Sequence, residues 1–203
     1  MSKEGKTLIE YNIRNVVYSV DGSAVKPWTY ASALSLSKST ETKDIYGDGE
    51  LQLSILTDNG MTGNIDATAR DTDFEKDLGF VMDMDNGTGE VSVVENKNIS
   101  IGCEIYFMGA DGVAKVKKKW FFGVQVSPAS ESLSQNTSSI NESTASYGLT
   151  VKGVTLMDST GSAEYKDKNG VGRKCFSKTS LPADSNYATF LESVPKAMAK
   201  AAA

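Results

Sequence analysis

A mainly β fold, of sandwich or barrel type with one short flanking α-helix, follows from three features of this sequence. Apolar and polar residues alternate along several separate stretches, the period-two pattern of strands with one buried face. Clusters such as Asp21-Gly22, Asp58-Asn59-Gly60 and Gly109-Ala110-Asp111-Gly112 interrupt those stretches with turn chemistry. Helical spacing coincides with capping residues at one place only, residues 71–78.

Residues 11–21 form the first expected strand, through Ile13, Val16, Val17, Tyr18 and Val20, with a stop at Asp21-Gly22. A second spans 31–40, where Leu34 and Leu36 oppose Ser35 and Ser37. The polar stretch 39–49 is longer than a tight hairpin needs and reads as a functional or mobile loop, anchored only by Ile45 and Tyr46. Alternation resumes over 50–57 with Leu51, Leu53 and Ile55, and Asp58-Asn59-Gly60 signals a turn. Residues 61–70 give the next strand, Ile65 and Ala67 set against Asn64, Asp66 and Thr68.

In the helical segment, Asp71 or Thr72 serves as cap, and Glu75 lies near the capping-box position. Phe74 and Leu78 stand four apart and face the sheet, and Gly79 sits where a C-terminal cap is expected. Beyond it lie an acidic turn and a minor strand over 91–95. Ile99, Ile101, Cys103, Ile105 and Phe107 then alternate with polar or intermediate residues, and Val116, Trp120, Phe122, Val124 and Val126 return on one face of a partner strand. The hydroxyl-rich run 127–146 reads either as a flexible linker or as an ordered polar strand. Its strand-like end at Tyr147, Leu149 and Val151 favours the second.

These elements make residues 1–157 a β-domain and 158–203 a C-terminal extension, loop-like and then weakly helical. Apolar residues make up 39% and charged residues 23%, enough for a real core. No apolar run reaches transmembrane length, and the start Met-Ser-Lys-Glu-Gly-Lys lacks the apolar centre of a signal peptide, so a cytosolic site of synthesis is expected. Cys103 and Cys175 read as buried or half-buried free thiols.

Histidine is absent, which removes the commonest general base and metal ligand at neutral pH and excludes His-dependent nucleophile activation. A net charge of −5 and three scattered arginines, Arg14, Arg70 and Arg173, argue against a strong phosphate grip. The run from Asp83 to Glu90 fails as a calcium loop because Gly87 falls at the fifth ligand position. Asp71, Asp73 and Glu75 are better explained by helix capping and the helix dipole than as catalytic carboxylates. No enzyme, cofactor or metal site is expected. Lys115, Lys117 and Lys119 share one strand face, with Lys118 opposite; they read either as a patch meeting an acidic surface on a neighbouring copy or as a solvated edge.

The order of these elements resembles the major tail protein, or tail tube subunit, of long non-contractile-tailed phages infecting Gram-positive bacteria. The resemblance is carried by Ile13-Arg14-Asn15-Val16-Val17-Tyr18, by Ala33-Leu34-Ser35-Leu36-Ser37 leading to Ile45-Tyr46-Gly47-Asp48, and by Asn59-Gly60-Met61-Thr62-Gly63-Asn64-Ile65. The helix with Phe74 and Leu78-Gly79, then the strand into Pro128 and the closing residues 144–151, complete it. It covers roughly residues 8–157. The resemblance implies hexameric rings that stack into a virion tail tube, a conduit for double-stranded DNA, assembled in the host cytoplasm. Its implied partners are the chain itself, a tape measure protein, and terminator and baseplate proteins. Ile45, Tyr46 and Asp48 are then candidates for the contact between rings. Ser35, Ser37, Ser143, Thr144, Ser146 and Thr150 are candidates for the lumen wall, and Lys115, Lys117 and Lys119 for the contact between subunits. A DNA-free phage-tail-like particle would use the same tube. A monomeric carbohydrate-binding or adhesin β-sandwich is the competing class; it needs exposed aromatic platforms, for which Trp28 and Trp120 are the candidates.

Overall fold

The computed structural model describes residues 9–92, 97–109, 112–132 and 144–199. Its elements, in order, are β1 (Ile9–Val20), β2 (Lys26–Pro27), β3 (Ala31–Gly47), β4 (Glu50–Ala67), α1 (Thr72–Leu78), β5 (Val81–Met84), β6 (Gly87–Glu90), β7 (Ile99–Met108), β8 (Ala114–Val126), β9 (Ser130–Ser132), β10 (Thr144–Val151), β11 (Val154–Thr155), β12 (Lys174–Cys175) and β13 (Ser177–Ser180). Among the described residues the fold is mainly β with one short helix, as the alternation predicts. The main antiparallel sheet runs β2-β1-β7-β8-β10-β4-β3, with β13 added to β8 and β9 to β10. It curls until β1 and β3 face each other across an open cleft.

Curling needs local breaks in the ladder, and β1 supplies two. Its pairing with β7 shifts between Tyr11 and Ile13 and again between Arg14 and Val17. Asn12 (φ 58°) and Asn15 (φ 48°) occupy the left-handed region there, which asparagine tolerates better than most residues.

Strand β8 departs from simple alternation. Ile101 pairs with Phe121 but Ile99 pairs with Val124, so three steps on β8 match two on β7. The extra residue is accommodated at Gly123, whose φ is +59°. Phe121 and Val124 therefore face the main core, while Trp120 and Phe122 face the other way. Trp120, Phe122, Val124 and Val126 do not share a face, contrary to the expectation from their spacing. The second edge of β8 changes partner at the same point. Lys118 to Phe121 pair with β13, and Val124 to Val126 pair with β10.

The main core lies between the curled sheet and α1. Asp71 caps the helix by accepting from the Phe74 amide, and Gly79 closes it at φ 78°. Phe74 is fully buried, stacked on Trp28 at 3.8 Å between centroids, with Tyr18 and Tyr147 edge-on. Glu75 has a different role from the capping function its position suggested. It is 2% exposed and receives Arg70 Nε and Nη2 at 2.8 and 2.9 Å and the Tyr147 hydroxyl at 2.9 Å. Glu75 thus joins the helix to β10 through the Tyr147 hydroxyl and pairs with Arg70 of the segment entering the helix.

Residues 81–90 form a β5–β6 hairpin turning at Asp85-Asn86, upstream of the minor strand expected at 91–95, of which residues 93–95 lie outside the described residues. Described residues beyond 180 carry turns instead of a helix, with hydrogen bonds from Tyr187 to Asp184 and from Phe190 to Tyr187. Those turns press Phe190 and Ala197 onto Trp120 and Phe122 in a second core, where Trp120 Nε1 donates to the Phe190 carbonyl at 2.7 Å. Cys103 is fully buried and Cys175 half-buried, and neither forms a disulfide. Burial pushes the Cys103 thiol up to about 12.

Candidate functional site

Residues 39–49 are not a loop. β3 and β4 stay paired from Ala31↔Ala67 to Gly47↔Glu50, so the polar stretch is the outer half of one long hairpin turning at Asp48-Gly49. Asp58-Asn59-Gly60 is likewise no chain reversal. It sits inside β4, where Gly60 (φ 91°) absorbs a register shift between Lys38 and Thr40. The same positive φ that suits a turn suits a bulge, and the partner strand decides between them. Lys38 and Asp58 form an ion pair across this point, which with the Gly60 amide holds the Asp58 carboxyl below its ordinary range.

Outward of that bulge the hairpin becomes an arm without an inward face. Ile45 pairs with Leu53 and lies on one side with Ile55; Tyr46 pairs with Leu51 and lies on the other with Leu56. All six are exposed, from 40% at Ile45 to 68% at Leu56. Soluble monomers rarely leave so much contiguous apolar surface in water. Ile45, Tyr46 and Asp48 thus sit at the arm's end, with Leu51, Leu53, Ile55 and Leu56 beside them. Leu51, Leu53 and Ile55 escape notice in the sequence because their alternation reads as one buried face. The adjacent pair Ile55-Leu56 was the available signal, since a half-buried strand has no use for both.

Inward of the bulge, three strands align the hydroxyl candidates. Ser37, Thr62 and Thr150 fall in one row across β3, β4 and β10; Ser35, Asn64 and Gly148 in the next; Ala33, Asp66 and Ser146 in the third. Gln125 of β8 extends the first row. The opposite face is buried through Ile65, Ala67, Ala145, Tyr147, Leu149 and Val151. Asp66 is the only formal charge in these rows, and it accepts the Ser146 hydroxyl at 2.6 Å. Thr144 is exposed at the start of β10, paired with Ser132. Ser143 lies outside the described residues. The structure therefore brings Ser35, Ser37, Ser146 and Thr150 together on one nearly uncharged polar face.

The lysines of β8 have partners within the chain. Lys117 pairs with Glu10 at 2.5 Å, and Lys118 donates to the Ala188 carbonyl and lies over the Tyr187 ring. Lys119 lies 4.8 Å from the Phe121 ring centroid. Lys115 also has an interaction partner. Trp28 and Trp120 are 2% and 0% exposed, so neither can act as a sugar-stacking platform. No helix among the described residues is long and apolar enough to cross a membrane. No protein-family model and no curated protein sequence matches the chain.

Proposed function

We propose that this chain is a structural virion protein whose copies close into six-membered rings and stack into a tail tube, a conduit through which double-stranded DNA passes. The observation that carries the reading is the apolar arm, which leaves Ile45, Tyr46, Leu51, Leu53, Ile55 and Leu56 in water on both sides of a two-stranded ribbon. Such an element is marginal in water until another surface covers it. The row pattern of Ser35, Ser37, Thr62, Asn64, Ser146 and Thr150 supports the second half of the proposal. A wall that lets a polyanion slide must lack fixed cations, because each uncompensated lysine adds a salt-dependent attraction to phosphate. In this reading the protein has no enzymatic activity, and it binds duplex DNA neither tightly nor specifically.

Negative-stain microscopy of concentrated protein tests the reading directly: rings or tubes with a central bore are expected. A strictly monomeric species after prolonged incubation at high concentration would overturn it. For the bore, Ser35→Lys with Ser37→Lys should leave assembly intact and hinder DNA ejection. Unimpaired ejection through such tubes would remove β3 from the wall.

A further inference from the structure

We infer that the cleft between β1 and β3 is the seat for the arm of a second copy of this chain, an inference that rests on the self-assembly reading above. The cleft has a volume of about 440 Å³ and a floor built from Ile13, Leu34, Leu36, Met61, Ile105 and Phe121. Its apolar side chains are inward-facing residues of the curled sheet, left accessible because β1 and β3 approach without pairing. Glu10, Lys38 and Lys119 also line it, Lys38 already paired with Asp58. The arm offers the matching chemistry. Ile45, Leu53 and Ile55 form an apolar strip on one side, which they share with Lys43 opposite Ile55. Between residues 40 and 57 the charged groups are Glu41, Asp44, Asp48 and Glu50 against Lys43 alone, four negative to one positive.

Of the β8 lysines only Lys119 lines the cleft; Lys117 is paired with Glu10 on its rim, and Lys118 reaches the Ala188 carbonyl instead. Lys119 has no carboxylate partner among the described residues, and it stands at the cleft with its charge over the Phe121 ring. An acidic, apolar ribbon entering an apolar cleft with Lys119 at its edge gains burial and one charge pair, and that pair also sets its orientation.

The occupant cannot be the chain's own arm. Leu36 and Met61, at the cleft, belong to the base of the same hairpin that carries Leu53 at its far end. Eight residue steps along β4 separate Met61 from Leu53, a span of roughly 26 Å along an intact ladder. Folding back would require breaking that ladder. Donor and acceptor therefore lie at different places on one subunit, which makes the contact heterologous, the kind that propagates into closed rings or stacked arrays.

The test is a disulfide trap in a Cys175→Ser background, with Cys103 left in place because it is fully buried. One chain carries both Leu36→Cys and Leu53→Cys, and each single variant serves as control. Mild oxidation of the assembled double variant should give a ladder of covalent multimers, and neither single variant should. If Leu36→Cys does not fold, Glu10→Cys on the cleft rim takes its place, with the same ladder expected. Lys119→Glu should raise the concentration needed for assembly about tenfold. Assembled particles without a ladder would overturn the seat while leaving self-assembly standing. Cross-linking by Leu53→Cys alone would put arm against arm and overturn it too. A protein that neither assembles nor cross-links would sink both this inference and the tube.

Discussion

The bulge at Gly123 determines which side chains of β8 enter which core, and its cost when altered can be worked out from local geometry. In Gly123→Ala the new Cβ would occupy a residue at φ +59° and lie 2.5 Å from the Gly153 carbonyl oxygen. Left-handed backbone costs an alanine about 1–2 kcal/mol, offset in part by the reduced freedom of its unfolded chain. The contact adds a separate penalty. Gly153 cannot retreat easily, because it is itself at φ +69° and packed against Phe176 and the Cys175 carbonyl. Overpacking of this kind costs about 1–3 kcal/mol. Gly22→Ala is the matched control, since Gly22 has φ +77° and nothing within 4 Å of its would-be Cβ. Urea denaturation should give a loss of about 1 kcal/mol for Gly22→Ala and about 2–4 kcal/mol for Gly123→Ala. Thermal midpoints should separate by several degrees, at about 2–4 °C per kcal/mol for a chain of this size. Losses within about 0.5 kcal/mol of each other would refute the claim that the bulge is sterically fixed by the β10–β11 connection.

Arg70→Met should cost about 3–5 kcal/mol by leaving the Glu75 carboxylate buried without its cation, and Arg70→Met with Glu75→Met should recover most of that loss in the same urea assay. Alkaline stability carries a second signature. The Cys103 thiol titrates near 12 in the folded chain against 9.0 ordinarily, so above pH 9 the unfolded chain releases a proton that the folded chain retains. Stability should therefore fall by about 1.4 kcal/mol per pH unit from 9 towards 12, and Cys103→Ala should flatten that slope between pH 9 and 10. Tyr18 and Tyr147, also raised by burial, add their own loss above pH 10 in both proteins. Identical slopes below pH 10 would contradict this. Leu53→Asp with Leu56→Asp changes one exposed residue on each face of the arm, so subunit stability should move by less than about 1 kcal/mol while particles vanish from the microscope field.

Strand content and the helix were legible because both depend on short-range periodicity. Phe74, Leu78 and Gly79 do what their spacing suggests, and Tyr147, Leu149 and Val151 take the buried face of β10. Features set by a partner strand were not legible. Nothing local marks Asp58-Asn59-Gly60 as a bulge instead of a turn, or says that residues 39–49 pair with residues 50–58. The parity change in β8 hides behind an unbroken apolar run, Trp120-Phe121-Phe122, compatible with either face. Glu75 was misjudged because capping is a local explanation, whereas Arg70 and Tyr147 reach it through the tertiary fold. For the polar face, sequence identified the hydroxyl residues of β3 and β10, but only register shows that β4 lies between them and aligns them into rows.

The arm also bears on how growth begins. A ribbon two strands wide, with no face against a core, is marginal by itself in water, so the free subunit holds it largely by cross-strand pairs such as Ile45–Leu53 and Tyr46–Leu51. The entropy of fixing those residues is then lost chiefly when the ribbon meets a surface. On the proposed assembly, two free subunits meeting in solution would each bring an unseated arm, and only one of them would find a seat. A subunit joining a finished end meets neighbours already held in place. Initiation is therefore slower than extension, and the protein should polymerise with a lag that preformed fragments abolish.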